Sequence, residues 1–248
     1  MVVAFWRITY LETTVSNINR YDEAVRKFGL GASHHLLLTE AAPGETVLEI
    51  GPATGYMTRL LREKGCIVDI VEIDGEAARQ AAVHARQAYI GSVEDAALLG
   101  RIQSRYDAVL FADVLEHLKD PRRVLEEIRL KLKPSGRVLA SIPNVAHWTV
   151  RWKLLLGQFH YEEIGLLDRT HLRFFTLQTV RELFEESGYH IVSLRFTVGV
   201  IPIVRSQLNQ LRRFLVSRFP SLFAWQFIID ARPTNDASVK AGTPLAGG

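Results

Sequence analysis

The chain reads as one α/β domain built on an open, mostly parallel sheet, and three observations carry that prediction. Val47, Leu48 and Ile50 form an apolar strand that enters the turn Gly51-Pro52-Ala53-Thr54-Gly55 and then a helix over 58–64, closed by Gly65. A β-branched run from Cys66 follows at the spacing of one strand-helix-strand unit and ends in two acids, Glu72 and Asp74. Apolar strand runs then alternate with amphipathic helices as far as Ile142, the order that winds a parallel sheet.

Composition bounds the remaining choices. The 248 residues, 48% hydrophobic and 23% charged, suffice for one full core and not for two large ones. The formal charge is +3 and the pI about 9.1, but acids and bases are interspersed with no long basic tract, so nucleic acid is not expected as a partner. Cys66 is the single cysteine and cannot form an internal disulfide, which suits a reducing, cytoplasmic setting. Met1 to Tyr10 is apolar but carries Arg7 and lacks a small-residue cleavage pattern, so no secretory signal is expected. No stretch is long enough to span a membrane as a helix.

Residues 1–15 have no periodicity and read as a leader to a domain over 16–232. Tyr21, Ala24, Val25 and Phe28 predict a short helix, and His35 to Ala42 a second apolar segment ended by Pro43-Gly44. His34 and His35 have no cysteine or third histidine nearby, so they read as cap or surface residues, and no metal site is expected. Glu72, at the end of the second strand, is placed to accept both hydroxyl hydrogens of a ribose; Asp74 is second choice, because it also suits the cap of an alanine-rich helix over Glu76 to Ala88. Ala88-Tyr89-Ile90 predicts the third strand, and the polar turn Ser92-Val93-Glu94 after it either holds an adenine or opens the next helix. Tyr106 to Phe111 is the fourth strand, with Asp113, Val114 and His117 just beyond its carboxyl end, where open α/β sheets bind ligands. Asp120-Pro121 starts a helix that stops before Pro134-Ser135-Gly136, and Arg137 to Ile142 is the fifth strand, delivering Asn144 and His147 to the same edge.

The pattern then changes. Aromatic and leucine residues from Trp148 to Phe159 lead to the polar cluster Asp168-Arg169-Thr170-His171-Leu172-Arg173, read as a lid insertion over about 148–175. Thr176 caps a helix ended by Gly188; Tyr189 to Val198 is a sixth strand and Leu222 to Ala231 a seventh. Between them, an insertion over about 199–220 places Leu208, Leu211, Leu215 and Phe219 on one face of a basic helix, which either covers the sheet or touches an anionic membrane. Residues 233–248 read as a disordered tail.

Together, Glu49-Ile50-Gly51-Pro52-Ala53-Thr54-Gly55, the acid Glu72 and Asp113-Val114-Leu115-Glu116-His117 resemble the class I S-adenosylmethionine-dependent methyltransferases over residues 20–232. The segments from Ser141 to His147 and from Leu167 to Phe175 are similar to the subgroup that includes quinone-biosynthesis enzymes and those encoded with bacterial cell-surface glycan genes. The resemblance implies a Rossmann-like three-layer sandwich whose seven-stranded, mostly parallel sheet has an antiparallel last strand. It implies S-adenosylmethionine as cofactor, with Glu49, Gly51, Ala53 and Gly55 around its methionine part, Glu72 and neighbouring Ile73 at its ribose, Ser92, Val93 and Glu94 at its adenine, and Asp113 and Val114 at its sulfonium. Ala53 stands where a second glycine is common, and Ser92 where an aspartate is usual.

The expected acceptor is a small molecule, glycan or lipid-linked compound, with peripheral membrane contact as an option. If a hydroxyl is methylated, His117, His147 and His171 are the candidate bases. Asn144, Asp168, Arg169 and Arg173 are the candidate acceptor-binding groups. Two rivals remain: a cofactor-binding subunit without catalysis, and a nicotinamide-dependent oxidoreductase, which the missing third glycine of that fingerprint disfavours.

Overall fold

The computed structural model describes residues 31–198 and 209–234. The leader, the helix expected over Tyr21 to Phe28, Leu208 and most of the tail lie outside these residues. The described order is α1 (Ala32–Glu40), β1 (Thr46–Ile50), α2 (Tyr56–Glu63), β2 (Ile67–Glu72), α3 (Gly75–Ala81), β3 (Gln87–Ile90), α4 (Ala96–Arg101) and β4 (Tyr106–Ala112). A short 3-10 turn, Leu115–His117, follows; then α5 (Pro121–Arg129), β5 (Leu132–Pro143), α6 (Trp148–Leu155), α7 (Leu177–Glu186), β6 (Tyr189–Val198), α8 (Asn209–Arg218), α9 (Pro220–Phe223) and β7 (Ala224–Pro233).

One sheet of seven strands runs in the order β3-β2-β1-β4-β5-β7-β6. The pairs from β3 through β5 are parallel, and β7 is antiparallel to both β5 and β6. Both faces are covered, which is why the inner strands read as continuous apolar runs. Leu48, Ile50, Val109 and Phe111 face a core shared with α4, α5 and α7. Val47, Val68, Ile70 and Leu110 face one shared with α1, α2 and α3. Strand order reverses between β1 and β4, so their carboxyl ends diverge into a crevice.

Several boundaries depart from the sequence reading for local reasons. The alanine-rich helix stops at Ala81 and does not reach Ala88, because Arg86 already joins the sheet: its N–H donates to Val68 O at 2.7 Å and its guanidinium pairs with buried Asp69. Strand β5 begins at Leu132 and passes through Pro134-Ser135-Gly136, where a break was expected. A bulge between Tyr106 and Ala108 absorbs those residues. Asp95, and not Ser92, caps α4 by accepting from Ala97 N. In α8 the buried positions are Val216 and, in part, Leu215, whereas Leu211 and Phe219 are exposed; the helix therefore turns a different stripe inward from the one that leucine spacing suggests. The tail begins later than expected, since Pro233 still belongs to β7 and Thr234 N donates to Gly188 O.

Candidate cofactor and acceptor site

The crevice contains a cavity of about 390 Å³, lined by β1, β2 and β4 ends and by α1, α2 and α3. That volume is within the roughly 300–1,000 Å³ usual for small-molecule sites. Gly51 lines it, and Gly55 closes the turn behind Ala53 and Tyr56, which also line it. Gly51 has φ +66°, and a Cβ there would stand 3.0 Å from Val114 Cγ2; Gly55 has φ +89°, and a Cβ would meet Ala81 Cα at 2.6 Å. The turn therefore needs glycine for its backbone shape at both positions, and for the packing of α3 at the second. Between them Ala53 also takes a positive φ of 51°.

Glu72 joins the turn to the end of β2. Its Oε2 accepts from Ala53 N at 3.0 Å and its Oε1 from Asp74 N at 2.9 Å, so backbone N–H groups fix the carboxylate at the cavity. Burial raises its pKa, against the N–H groups that favour the charged form. Asp74 lines the cavity but spends Oδ1 on Glu76 N and Ala77 N as the cap of α3. Deeper in, Glu49 is 1% exposed and accepts a hydrogen bond from Thr58 Oγ1 at 2.7 Å. Burial pushes its pKa up to about 7, a value that a neighbouring cation would lower again.

Asp113 is held more firmly than sequence suggested. It sits at φ 56°, its N–H donates to Ser141 Oγ, and its Oδ1 accepts from Ser141 Oγ at 2.5 Å and from Gln226 Nε2 at 2.8 Å. His34 Nε2 stands 3.8 Å from Oδ2, with its ring edge-on to Tyr56 at 5.4 Å. His34 is thus a cavity residue, correcting its reading as a cap or surface group.

At the far end, His117 lines the cavity beside Thr170. Its Nδ1 is 3.1 Å from Thr170 O, and the His171 ring packs edge-on against it at 4.9 Å. The segment that carries His171 is anchored by Leu172 N and Arg173 N, which both donate to Glu116 O. Burial lowers the pKa of His171, so its neutral form is favoured.

Other candidates lie elsewhere. His147 is fully buried, accepts from Thr149 N as the cap of α6 and packs on Trp225; it does not line the cavity, and burial lowers its pKa to about 4. Asn144 is committed to Ser221 O, Ala224 O and Ala146 N, a staple between β5 and the approach to β7. Asp168 accepts from Thr170 N and Thr170 Oγ1, Arg169 pairs with Glu163, and Arg173 donates to Lys119 O. None of these four lines the cavity, so the acceptor-binding role expected of them has no geometric support. Ser92 accepts from Glu94 N, Val93 is buried in the core, and Glu94 accepts from Asp120 N, so this turn too lies off the cavity lining, whereas Ile73 is on it, 72% exposed.

His34, Glu116, Thr170, Ser141 and Gln226 were not singled out as site residues from sequence. Glu116, Ser141 and Thr170 stand inside motifs that drew attention for other members. Gln226 had one visible signal: it is an amide inside the apolar run Leu222 to Ala231.

Fold and glycine turn together define a domain of the S-adenosylmethionine-dependent methyltransferase class. A family model described as "Methyltransferase domain" matches residues 21–194. The chain belongs to that methyltransferase-domain family, and its cofactor is S-adenosylmethionine. It is 28% identical over 154 residues to a ubiquinone biosynthesis O-methyltransferase of Coxiella burnetii, a match over 61% of this chain and 66% of that protein. A protein of the same description from Idiomarina loihiensis is 27% identical over 116 residues, 44% of this chain and 48% of its own. Among solved structures, an S-adenosylmethionine-dependent methyltransferase from Archaeoglobus fulgidus superposes with a TM-score of 0.58 at 17% identity, over 86% of this chain and 99% of that one. A putative methyltransferase from Haloferax volcanii, in complex with the activator Trm112, gives 0.59 at 18% identity over 88% and 95%. At such identities the last two show the fold alone.

Proposed function

We propose that the chain O-methylates a small-molecule, glycan or lipid-linked acceptor by in-line transfer from S-adenosylmethionine. The observation that carries this reading is one cavity with carboxylates Glu72 and Glu49 at one end and Asp113 and His117 at the other. The cofactor supplies an electrophilic methyl on a positively charged sulfur. Glu72 is positioned for its ribose and Glu49 for its ammonium, while Gly51 admits close approach of the backbone. Asp113, fixed by Ser141 and Gln226, orients what enters between the two ends. Positive charge on sulfur disappears during transfer, so alignment in a place shielded from water supplies most of the acceleration. The acceptor proton is lost at the His117 and His171 end.

Oxygen as the methylated atom is supported by the relatives from Coxiella burnetii and Idiomarina loihiensis, both described as ubiquinone biosynthesis O-methyltransferases. Among the described residues no helix is long and apolar enough to cross a membrane. Exposed Trp152, Leu155, Phe159 and Tyr161 on the segment over 148–175 support a lid with an apolar face and a lipid-bearing acceptor at a membrane surface. The deciding experiment assays S-adenosylhomocysteine release with quinone precursors, sugar nucleotides and lipid-linked sugars as acceptors. Turnover with one of them, methylated on oxygen, supports the reading; tight cofactor binding without turnover on any of them replaces it with a non-catalytic role.

A further inference from the structure

The sheet ends at β6, which pairs with β7 on one side and with no described strand on the other. A free edge of this kind holds a row of unpaired N–H and C=O groups, and native proteins keep such edges short, charged or covered. This one is ten residues long, with Val192 53% and Val198 37% exposed. A hollow runs along each half of it. One, of about 590 Å³, follows residues 189–194 beside the ends of α5 and α7. The other, of about 1000 Å³, follows residues 194–198 between α1 and α8. Leu194 lines both, so together they form one trough along the strand.

Backbone geometry limits where a further strand can pair. The register between β6 and β7 shifts between Ile191 and Ser193 and again between Phe196 and Val198, and bulges of this kind turn an edge away from its neighbours. Residues 193–196 lie between the two shifts in unbroken register. They include Leu194, where the hollows meet.

The trough is basic over an apolar base. Ile191, Leu194 and Phe196 are partly buried against the core shared with α7. Arg129 and Arg181 line the first hollow against a single described acid, Glu185, and Arg195 and Arg213 line the second with no acid among its described lining residues. Arg195 is taken by Glu40, whereas Arg129, Arg181 and Arg213 form no ion pair with a described carboxylate. The place of Arg129 is kept open by Gly188, where a Cβ would stand 2.5 Å from Arg129 Nη1. Unneutralised cations beside unpaired backbone groups suit a partner that brings both acids and a main chain.

We propose that the outer edge of β6 docks an acidic, extended peptide segment of a partner protein, which joins the sheet as a further strand. Main-chain hydrogen bonds to residues 193–196 hold it, and its alternate side chains fall to the two sides of the edge. Carboxylates in that segment meet Arg129 and Arg181 at one end and Arg213 at the other. A second copy of this chain is a poorer fit. Self-pairing about a two-fold axis is antiparallel, so it would set the Arg213 end of one copy on the Arg129 and Arg181 end of the other, cation against cation. Nucleic acid is also a poorer fit, because the carbonyls of the edge can only accept and offer phosphates no donor. No residue of β6 lines the cofactor cavity, so this surface is separate from the site of methyl transfer.

The test uses the full chain and a fluorescein-labelled peptide of alternating glutamate and valine, as long as β6, read by fluorescence anisotropy. Three comparison ligands are titrated beside it: the same peptide with lysine for glutamate, the acidic peptide methylated at every backbone nitrogen, and oligothymidylate. Saturable binding of the acidic peptide is expected, at least about tenfold tighter than that of the lysine peptide and lost on N-methylation. Methylation keeps the charge and removes the donors, so it separates strand pairing from plain attraction. Arg181→Glu and Arg213→Glu replace exposed side chains and should each weaken the acidic peptide by about threefold or more, with the circular dichroism spectrum unchanged. No binding of the acidic peptide, equal binding of the lysine or methylated peptide, tighter binding of oligothymidylate, or full binding in both variants overturns the proposal. So does a dimer in sedimentation velocity that the acidic peptide dissociates, which would assign the edge to a second copy. None of these readouts depends on methyl transfer, so the docking site is judged apart from the proposed activity.

Discussion

Single carboxylates decide how this cavity receives a cation. Glu72, the residue proposed for the ribose, has both oxygens already holding backbone N–H groups. Glu72→Ala is therefore expected to weaken S-adenosylmethionine binding by at least about tenfold, the worth of one charge-assisted hydrogen bond, with the far-ultraviolet spectrum intact. An unchanged dissociation constant in calorimetry would remove Glu72 from the site. Glu49 makes a pH prediction. Its folded pKa of about 7 exceeds the ordinary 4.5, so the folded chain keeps a proton that the unfolded chain releases over that interval. The contribution to stability is fully present below pH 4.5 and is lost as pH rises through about 7. Glu49→Gln should accordingly raise the urea midpoint of the ligand-free chain at pH 8 by the equivalent of roughly 1–3 kcal/mol, while cofactor binding weakens. In the unaltered chain, cofactor binding at pH 6 should release protons, visible as a dependence of calorimetric heat on buffer. His171→Ala should lower turnover more than cofactor affinity, because His171 is at the acceptor end; equal turnover in a steady-state assay would detach this end from the chemistry. Sequence made Glu72, Asp113 and His117 visible through their places after apolar strands. His147 and Asn144, expected at the same edge, do not line the cavity, because the end of a strand specifies an edge of the sheet and not the direction of a side chain.

Elements were legible where one local rule governed them. The Asp120-Pro121 start of α5 and the Thr176 start of α7 follow from capping chemistry alone, and both are found as expected. Elements shaped by distant partners were not: α3 ends early because Arg86 is drawn to Asp69, and the inward stripe of α8 is chosen by what lies beneath Val216. The glycine turn belongs to both classes. Its existence is a local signal, but the intolerance of Gly55 comes from α3, 2.6 Å away from where a methyl would sit. Gly55→Ala should cost more than about 2 kcal/mol in urea unfolding, combining a left-handed backbone with overpacking. A loss under half a kilocalorie per mole would mean that α3 yields freely.

At the scale of the molecule, the alternation of strands and helices implied the parallel half of the sheet, and family resemblance an antiparallel last strand, while the position of β7 between β5 and β6 emerges only in the structure. Such an insertion is a non-local pairing, and spacing along the chain carries no trace of it. Because the cavity is lined by three strand ends and three helices, cofactor binding should stabilise the fold as a whole. At one hundred times its dissociation constant, S-adenosylmethionine should add about 2.7 kcal/mol and raise Tm by roughly 5–10 °C. Differential scanning fluorimetry with NAD in parallel checks this, since a rise with NAD and none with S-adenosylmethionine would contradict the cofactor assignment.

The amide of Gln226 on Asp113 ties the cavity to the last strand of the sheet. During synthesis the ribosome delivers the glycine turn, Glu72 and Asp113 well before it delivers residue 226. A nascent chain stopped short of β7 thus carries most of the groups that meet the cofactor but lacks the side chain that holds Asp113. A chain truncated before β7 is therefore expected to bind S-adenosylmethionine more weakly than the full chain.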